Sequence, residues 1–392
     1  MEKEQVIRHL KKGIINTKVN FMAKILTEHE TERFYAVIMA GGGGTRLWPW
    51  SRREQPKQML RISGDRSMFQ LTIDRISELI HKDNMLVITT EEQAKKLESQ
   101  AKEIRHENYI LEPMPKGTAS VVGMAAIHLL ARNKDAVMAI LTADHFIMDV
   151  AYFNSLLETA FLEAEKGHLV TLGIEPTFPS TGMGYIDQGV LLETEGGNPV
   201  HKVNRFCEKP DFETAERFLA SGNFSWNSGM FIWRADRILD EIQKDLPDLY
   251  EKLMKIRPTI GTDDYEKTVA EIWPTIQPQT IDYGVMEKAD DVVVLPARGL
   301  GWNDIGSWES IYDVLDEDEN GNIHINCRSY HLDSNGVLSC SENKDKMIIT
   351  VGMKDVVIVE TEKAVMVCPK KDTQRVKEIV QYLKDHQLDS YL

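Results

Sequence analysis

No apolar run in the 392-residue chain reaches the roughly 20 residues that span a bilayer; the longest, Val121 to Ala131, contains His128. The expectation is a soluble protein without a membrane partner. Cysteine is scarce: Cys207, Cys327, Cys340 and Cys368 lie far apart and form no CxxC, which speaks against a zinc site or a redox pair and fits free thiols in a reducing cytoplasm. Asn223-Phe224-Ser225 matches a glycosylation sequon, but no signal peptide would bring it to the machinery. A formal charge of −15 leaves no broad basic face, so nucleic acid is not an expected partner. Gly-Lys-Ser and Gly-Lys-Thr are both missing, which excludes a P-loop. Disorder is excluded as well, because 42% hydrophobic and 27% charged residues is ordinary globular usage. At this length, two or three structural units are expected.

Against the acidic background stands one stretch of opposite sign, Gly41 to Arg61. Its five cations, Arg46, Arg52, Arg53, Lys57 and Arg61, oppose only Glu54, a formal charge of +4, and would draw a polyphosphate. Four consecutive glycines, Gly41 to Gly44, follow an apolar, strand-like run and can wrap backbone N–H groups around an anion. A dinucleotide fingerprint fails here, since Arg46 occupies the place where G-x-G-x-x-G needs a third small residue.

The wider pattern A-G-G-x-G-T-R-L-W-P, S-R, P-K-Q resembles the nucleotide-sugar pyrophosphorylases, and its W-P and P-K-Q elements resemble the mannose-1-phosphate guanylyltransferases among them. Gly43 replaces the usual Ser or Thr, and Trp50 the usual Leu. The resemblance implies a glycine loop (Gly41, Gly42, Gly44, Thr45) around a nucleoside triphosphate, with Arg46 and Lys57 on its phosphates as the catalytic cations. Asp144 alone reads as a strand-end turn residue and Asp304 as a helix cap; beside the glycine loop they resemble the family's two aspartates for Mg²⁺, a cation that favours hard oxygen ligands. His145 is expected to be structural, because the attacking phosphate of a sugar 1-phosphate is already ionised and needs no base.

Glu112-Pro113-Met114-Pro115-Lys116-Gly117-Thr118 resembles the base-selecting segment. There Glu112 could accept from the guanine N–H groups and Thr118 would bind nucleotide, although Gly117 removes the usual Asn amide. Lys116 reads equally well as part of a Pro-broken loop before a helix. Glu208 and Lys209 of Glu-Lys-Pro would meet the sugar hydroxyls and the sugar phosphate, and Gly184, Asn227 and Asp282 would complete that pocket. The run Asp282-Tyr283-Gly284-Val285-Met286-Glu287-Lys288 resembles the element typical of the mannose enzymes, and by itself reads as a capped helix with Val285 and Met286 in the core. The implied substrates are GTP and mannose 1-phosphate, in a cytoplasmic homodimer. A sibling with another base or sugar, or a non-catalytic subunit that senses the sugar nucleotide, remains open.

Along the chain, apolar runs at Tyr35–Met39, Met85–Thr89, Tyr109–Leu111 and Ala136–Leu141 alternate with helical patterns opened by Ser67 and Thr118. The expected class is α/β: a Rossmann-like, mostly parallel sheet with helices on both faces, over residues 34–315. Residues 316–392 are expected to form a small β-helix or β-roll from three short strands, ending in a helix capped by Asp372 and packed on the main unit or on a second subunit. Residues 1–33 read as a poorly ordered extension, or as preceding a true start at Met22. No segment long enough for a fused phosphomannose isomerase follows Leu392, so that activity is not expected.

Overall fold

The computed structural model describes residues 26–42 and 44–392. In the main unit the strands are β1 Phe34–Met39, β2 Met85–Thr90, β3 Tyr109–Glu112, β4 Val137–Thr142, β5 Phe146–Ile147, β6 Leu169–Ile174, β7 Tyr185–Leu192, β8 Val200–Cys207, β9 Phe224–Arg234, β10 Val292–Pro296 and β11 Trp302–Asn303. Nine of them form one sheet in the order β3-β2-β1-β4-β9-β6-β10-β8-β7, and β5 pairs separately with β11. From β3 to β4 all neighbours are parallel. Beyond β4 the sheet is mixed: β9 runs antiparallel to β4 and β6, and β8 antiparallel to β10 and β7.

Buried strands with no polar face need cover on both sides, and the core has that form. Phe34, Ala36 and Ile38 of β1 join a cluster with Phe69 and Ile73 of the helix Met68–Ile76 and Phe153 of the helix Val150–Glu165. Tyr35 and Val37 face the opposite cluster, which holds the helices Thr118–Arg132 and Ala235–Asp245. Ser67 opens the first of these helices by a capping box: its hydroxyl accepts from Gln70 N–H, and the Gln70 side chain accepts from Ser67 N–H.

The ordered chain begins before residue 34. Leu26 is buried in the core, and Thr27 caps a short helix, Glu28–Thr31. Residues 26–33 are thus not a loose extension; the rest of that expectation, including Met22, lies outside the described residues.

The C-terminal unit has six strands rather than three: β12 Ile323–Ile325, β13 Arg328–Leu332, β14 Leu338–Ser341, β15 Met347–Val351, β16 Val356–Glu360 and β17 Val365–Pro369. Parallel stacking of β12, β14 and β16, and of β13 on β15, winds the chain as a β-helix. The first three strands are short or polar, which hides them from a hydrophobic pattern. The closing helix is Val376–Asp385, preceded by tight turns at Lys370–Arg375. Asp372 lies inside those turns and caps nothing; Arg375 holds the cap position without a side-chain bond.

This unit packs on the main one through a third core. Leu47, Trp48, Trp50 and Trp308 join Ile323, Leu338, Val357, Val380 and Leu383. Polar ties reinforce the seam: Trp48 Nε1 donates to the Tyr391 carbonyl at 2.7 Å, and Arg52 pairs with Glu342 at 2.5 Å.

Candidate active site

The glycine loop leaves β1 at the carboxyl end of the sheet, where Glu112 ends β3 and Asp144 follows β4. That end is where open α/β sheets receive ligands. Gly44 has φ 55°, and a Cβ there would overlap the Lys57 side chain and stand 2.8 Å from Ser51 Oγ. Glycine therefore lets the loop lie directly on the tight turn Lys57–Met59.

Lys57 is buried, and its ammonium donates to Asp144 Oδ2 at 2.8 Å and to the main-chain carbonyl of Asp304. The pairing of β5 with β11 aligns Phe146 with Asn303, which sets the Asp144 turn beside the Asp304 turn. Burial raises the Asp144 carboxyl, but the Lys57 ammonium beside it outweighs this and holds the group below the usual carboxylate range. Asp304 sits in a strained turn. Ile305, fully buried, has φ 41°, a costly value for a β-branched residue, and the Asn303 side chain accepts from its N–H at 2.7 Å. Next to it, a Cβ at Gly306 would lie 2.7 Å from Asp304 Oδ2 and 3.3 Å from Arg46 Nη1, so the Arg46 guanidinium and the Asp304 carboxylate flank the same glycine.

The basic stretch does not act as one patch. Arg52 is turned away to Glu342 and to the Pro49 carbonyl. Arg61 lines a separate cleft with Glu54, Glu342 and Asp345. Arg46 and Lys57 reach the Asp144–Asp304 seam, whereas Arg52 and Arg61 serve the junction between the two units.

Two cavities open on either side of that seam, and Thr142 at the end of β4 lines both. The first, about 290 Å³, includes Gly41, Gly42, Gln58, Glu112, Gly117, Thr118 and Asp144. Burial pushes the Glu112 carboxyl up to about 7, against a lowering bond from Lys116 N–H, and its enclosed Oε2 has no partner among the described residues. A Cβ on Gly41 would lie 3.2 Å from Glu112 Oε1, so the glycine loop runs close past that acid. Gly117, at φ 83°, lies tight against the Gln279 backbone, and Thr118 Oγ1 accepts from Ile281 N–H at 2.9 Å. Lys116 points out of the cavity to the Pro274 carbonyl at 2.6 Å, a latch for the loop.

The second cavity, about 220 Å³, holds Gly184, Glu208, Asn227, Asp282, His145, Trp302 and Asp304. Asn227 Nδ2 donates to Asp282 Oδ1 at 2.8 Å, and the amide oxygen accepts from Gly229 N–H at 3.0 Å. Burial, then the Glu208 charge, raises the Asp282 carboxyl. Asp282 opens a single π-type turn, Asp282–Met286, rather than a capped helix, and its side chain faces Asn227 instead of capping. Val285 and Met286 are buried as expected. A Cβ on Gly184 would strike Glu208 Oε2, so the bare backbone of Gly184 makes room for that carboxylate. Lys209 pairs with Glu208 at 2.7 Å at the rim, half exposed, and does not line the cavity.

Gln58, Thr142, Trp302 and Arg75 belong to this arrangement and were not singled out in the sequence. Gln58, inside P-K-Q, donates to the Ala40 carbonyl at 3.0 Å and so ties the lysine turn to the end of β1. Its position next to Lys57 was the available signal.

Among the described residues no three His, Cys, Asp or Glu side chains converge as a metal cluster. A cation would fit with Asp144 and Asp304 as protein ligands and phosphate oxygens as the rest, a donor set of hard oxygens throughout.

The profile of the family described as "Nucleotidyl transferase" matches residues 35–321, and that of the "MannoseP isomerase/GMP-like beta-helix domain" matches residues 328–383. A mannose-1-phosphate guanylyltransferase of Klebsiella pneumoniae is 39% identical over 359 residues, 91% of this chain and 75% of that protein. One from Salmonella montevideo is 40% identical, over 89% and 73% of the two chains. A solved structure described as mannose-1-phosphate geranyltransferase from Thermus thermophilus superposes with a TM-score of 0.80 at 30% identity, covering 90% of this chain and 99% of that one. With its glycine loop, buried lysine and C-terminal β-helix, the chain belongs to the nucleotidyl transferase family, in the group that contains the mannose-1-phosphate guanylyltransferases.

Proposed function

We propose that the chain catalyses GTP + α-mannose 1-phosphate ⇌ GDP-mannose + pyrophosphate. The observation that carries this reading is the seam itself: one buried ammonium, Lys57, stands between the Asp144 and Asp304 segments where two cavities meet at Thr142. In this reading the first cavity takes the guanine, with the enclosed Glu112 Oε2 as acceptor for its N–H groups, and the second takes the sugar. A phosphate oxygen of the sugar phosphate attacks the α-phosphorus, a new P–O bond forms, and the bond to the β-phosphate breaks with pyrophosphate as leaving group. No protein base is needed. Gly41, Gly42, Gly44 and Thr45 cradle the triphosphate, while Arg46 and Lys57 offset the charge that builds on it and on the departing pyrophosphate. Glu208, Asn227, Asp282 and the Gly184 backbone hold the sugar, and Lys209, paired with Glu208 at the rim, would meet an incoming phosphate.

Asp144 and Asp304 are the residues to hold Mg²⁺, which when bound neutralises phosphate charge. Lys57 already pairs with Asp144 at 2.8 Å, so a cation held there would share that carboxylate with the lysine.

The test is a matrix of GTP, ATP, UTP and dTTP against mannose, glucose and galactose 1-phosphates, read as pyrophosphate. Release with GTP and mannose 1-phosphate is expected; a different preferred pair would identify a sibling enzyme, and no release with any pair a sensing subunit. We propose further that the chain works as a homodimer. Tyr330 and Leu332 of β13 lie in register with Ile349 and Val351 of β15, an exposed apolar flank on the β-helix of the kind that marks an interface. Light scattering should give twice the chain mass, and Ile349→Lys should halve it; a monomeric wild type would refute the dimer.

A further inference from the structure

His145 has an imidazole that nothing in the proposed reaction uses, yet it is 9% exposed and lines the cavity that holds Glu208, Asn227 and Asp282. Its ring meets the Trp302 indole edge-on, with centroids 5.1 Å apart and an interplanar angle of 81°. The indole nitrogen can only donate, and it lies 3.2 Å from His145 Nδ1. That nitrogen must therefore present its lone pair, which puts the proton of a neutral imidazole on Nε2.

The main chain of the same residue is fixed as well. Arg75 is buried, and among the described residues it pairs with no carboxylate within ion-pair distance; its guanidinium donates instead to the His145 carbonyl at 2.8 Å and to the Leu71 carbonyl at 3.2 Å. Asn154 holds Arg75 in turn, through its carbonyl, at 2.8 Å. Among the described residues Nε2 has no protein acceptor, and it is not one of the enclosed polar atoms, so it opens into the cavity.

The acids of the cavity call for donors beside them. Glu208 and Asp282, when ionised, can only accept, and one N–H of the Asn227 amide goes to Asp282. A sugar hydroxyl bound there can give its proton to a carboxylate, and the side-chain donors for its own lone pairs include the Thr142 and Ser228 hydroxyls and an imidazole N–H. We infer that His145 is a substrate-contacting residue whose Nε2–H donates a hydrogen bond to a hydroxyl oxygen of the sugar, with Trp302 and Arg75 as positioning residues that fix its tautomer and orientation. The inference rests on the sugar occupying this cavity, as proposed above. It makes His145 a determinant of sugar recognition and leaves it out of proton transfer.

The test joins kinetics with histidine-selective ¹⁵N NMR on the full chain. His145→Phe keeps a ring against Trp302 and removes the donor; its KM for mannose 1-phosphate should rise about tenfold, with KM for GTP within about twofold, on the scale of losing one hydrogen bond to a buried polar group. Wild-type turnover together with an unshifted sugar KM in a folded His145→Phe protein overturns this inference alone, whereas no wild-type turnover of mannose 1-phosphate overturns it together with the proposed function. Should that variant fail to fold, the wild-type spectrum decides. His145, assigned by its contact with the Trp302 indole proton, should be protonated on Nε2 in the free enzyme, and Nε2 should shift with GDP-mannose and not with GDP. Protonation on Nδ1, or the same response to both nucleotides, refutes it.

Discussion

The two cavities that meet at Thr142 are built on opposite plans. The one beside the glycine loop is bounded by parallel strands and carries a buried acid, Glu112, with an oxygen that has no partner among the described residues. The one beside β9 lies in the mixed half of the sheet, and two of its acids are already bonded, Asp282 to the Asn227 amide and Glu208 to Lys209 at the rim. An enclosed carboxylate oxygen suits recognition of a planar donor edge, because an unpaired buried group makes the wrong ligand costly. Pre-bonded pairs suit a polyhydroxyl ligand, which both gives and accepts. In the proposed reading, selectivity for the base would depend on the ionisation of Glu112, and selectivity for the sugar on the fit of several groups.

The largest effect is expected at the seam between the two cavities, where Lys57 bonds both the Asp144 carboxylate and the Asp304 carbonyl. Lys57→Ala should lower turnover by about two or more orders of magnitude, and Arg46→Ala likewise, while circular dichroism stays native; a wild-type rate in either would remove the proposed chemistry. Next comes the sugar side alone. Gly184→Ala puts a methyl group into Glu208 Oε2, so KM for mannose 1-phosphate should rise by roughly tenfold or more with KM for GTP nearly constant. An equal rise in both would show that the cavities are not separable.

The smallest effect, and the sharpest for the comparison, is in pH. With the Glu112 carboxyl raised to about 7 by burial, guanine recognition needs it ionised, so KM for GTP should fall by up to about tenfold between pH 6 and pH 8. Glu112→Gln should flatten that profile. The linked stability runs the other way. A raised carboxyl favours the folded state below the ordinary carboxylate value, and this contribution is lost as pH rises through about 7. Glu112→Gln should remove that loss, visible as a smaller decline in Tm between pH 5 and pH 8.

The glycine loop, the parallel strands before it and the acids at their ends were legible because each depends on local chemistry: glycine after a buried strand, a carboxylate where the strand stops. What was hidden is relational. Ser225-Trp226-Asn227-Ser228-Gly229 reads as a turn, yet it lies inside the continuous strand β9, so the mixed half of the sheet could not be read. Arg52 looked like a phosphate ligand by charge, and only the return of the chain with Glu342 shows it to be a strut. Asp372 fitted a cap by spacing, but the turns at Lys370–Arg375 move the helix start beyond it. His145 reads as structural in the sequence because the reaction needs no base, and its contact with Trp302, 157 residues away, is visible only in the fold.

The apolar cluster that joins Trp48 and Trp50 to β12, β14, β16 and the closing helix sets an order of assembly. Domains form from the N-terminus as the chain is synthesised. The sheet can therefore close around its helices while the ribosome is still at work, yet Leu47, Trp48 and Trp50 gain their full apolar cover only once the β-helix and the closing helix have been made. The loop that carries Arg46 is thus among the last parts of the main unit to be braced.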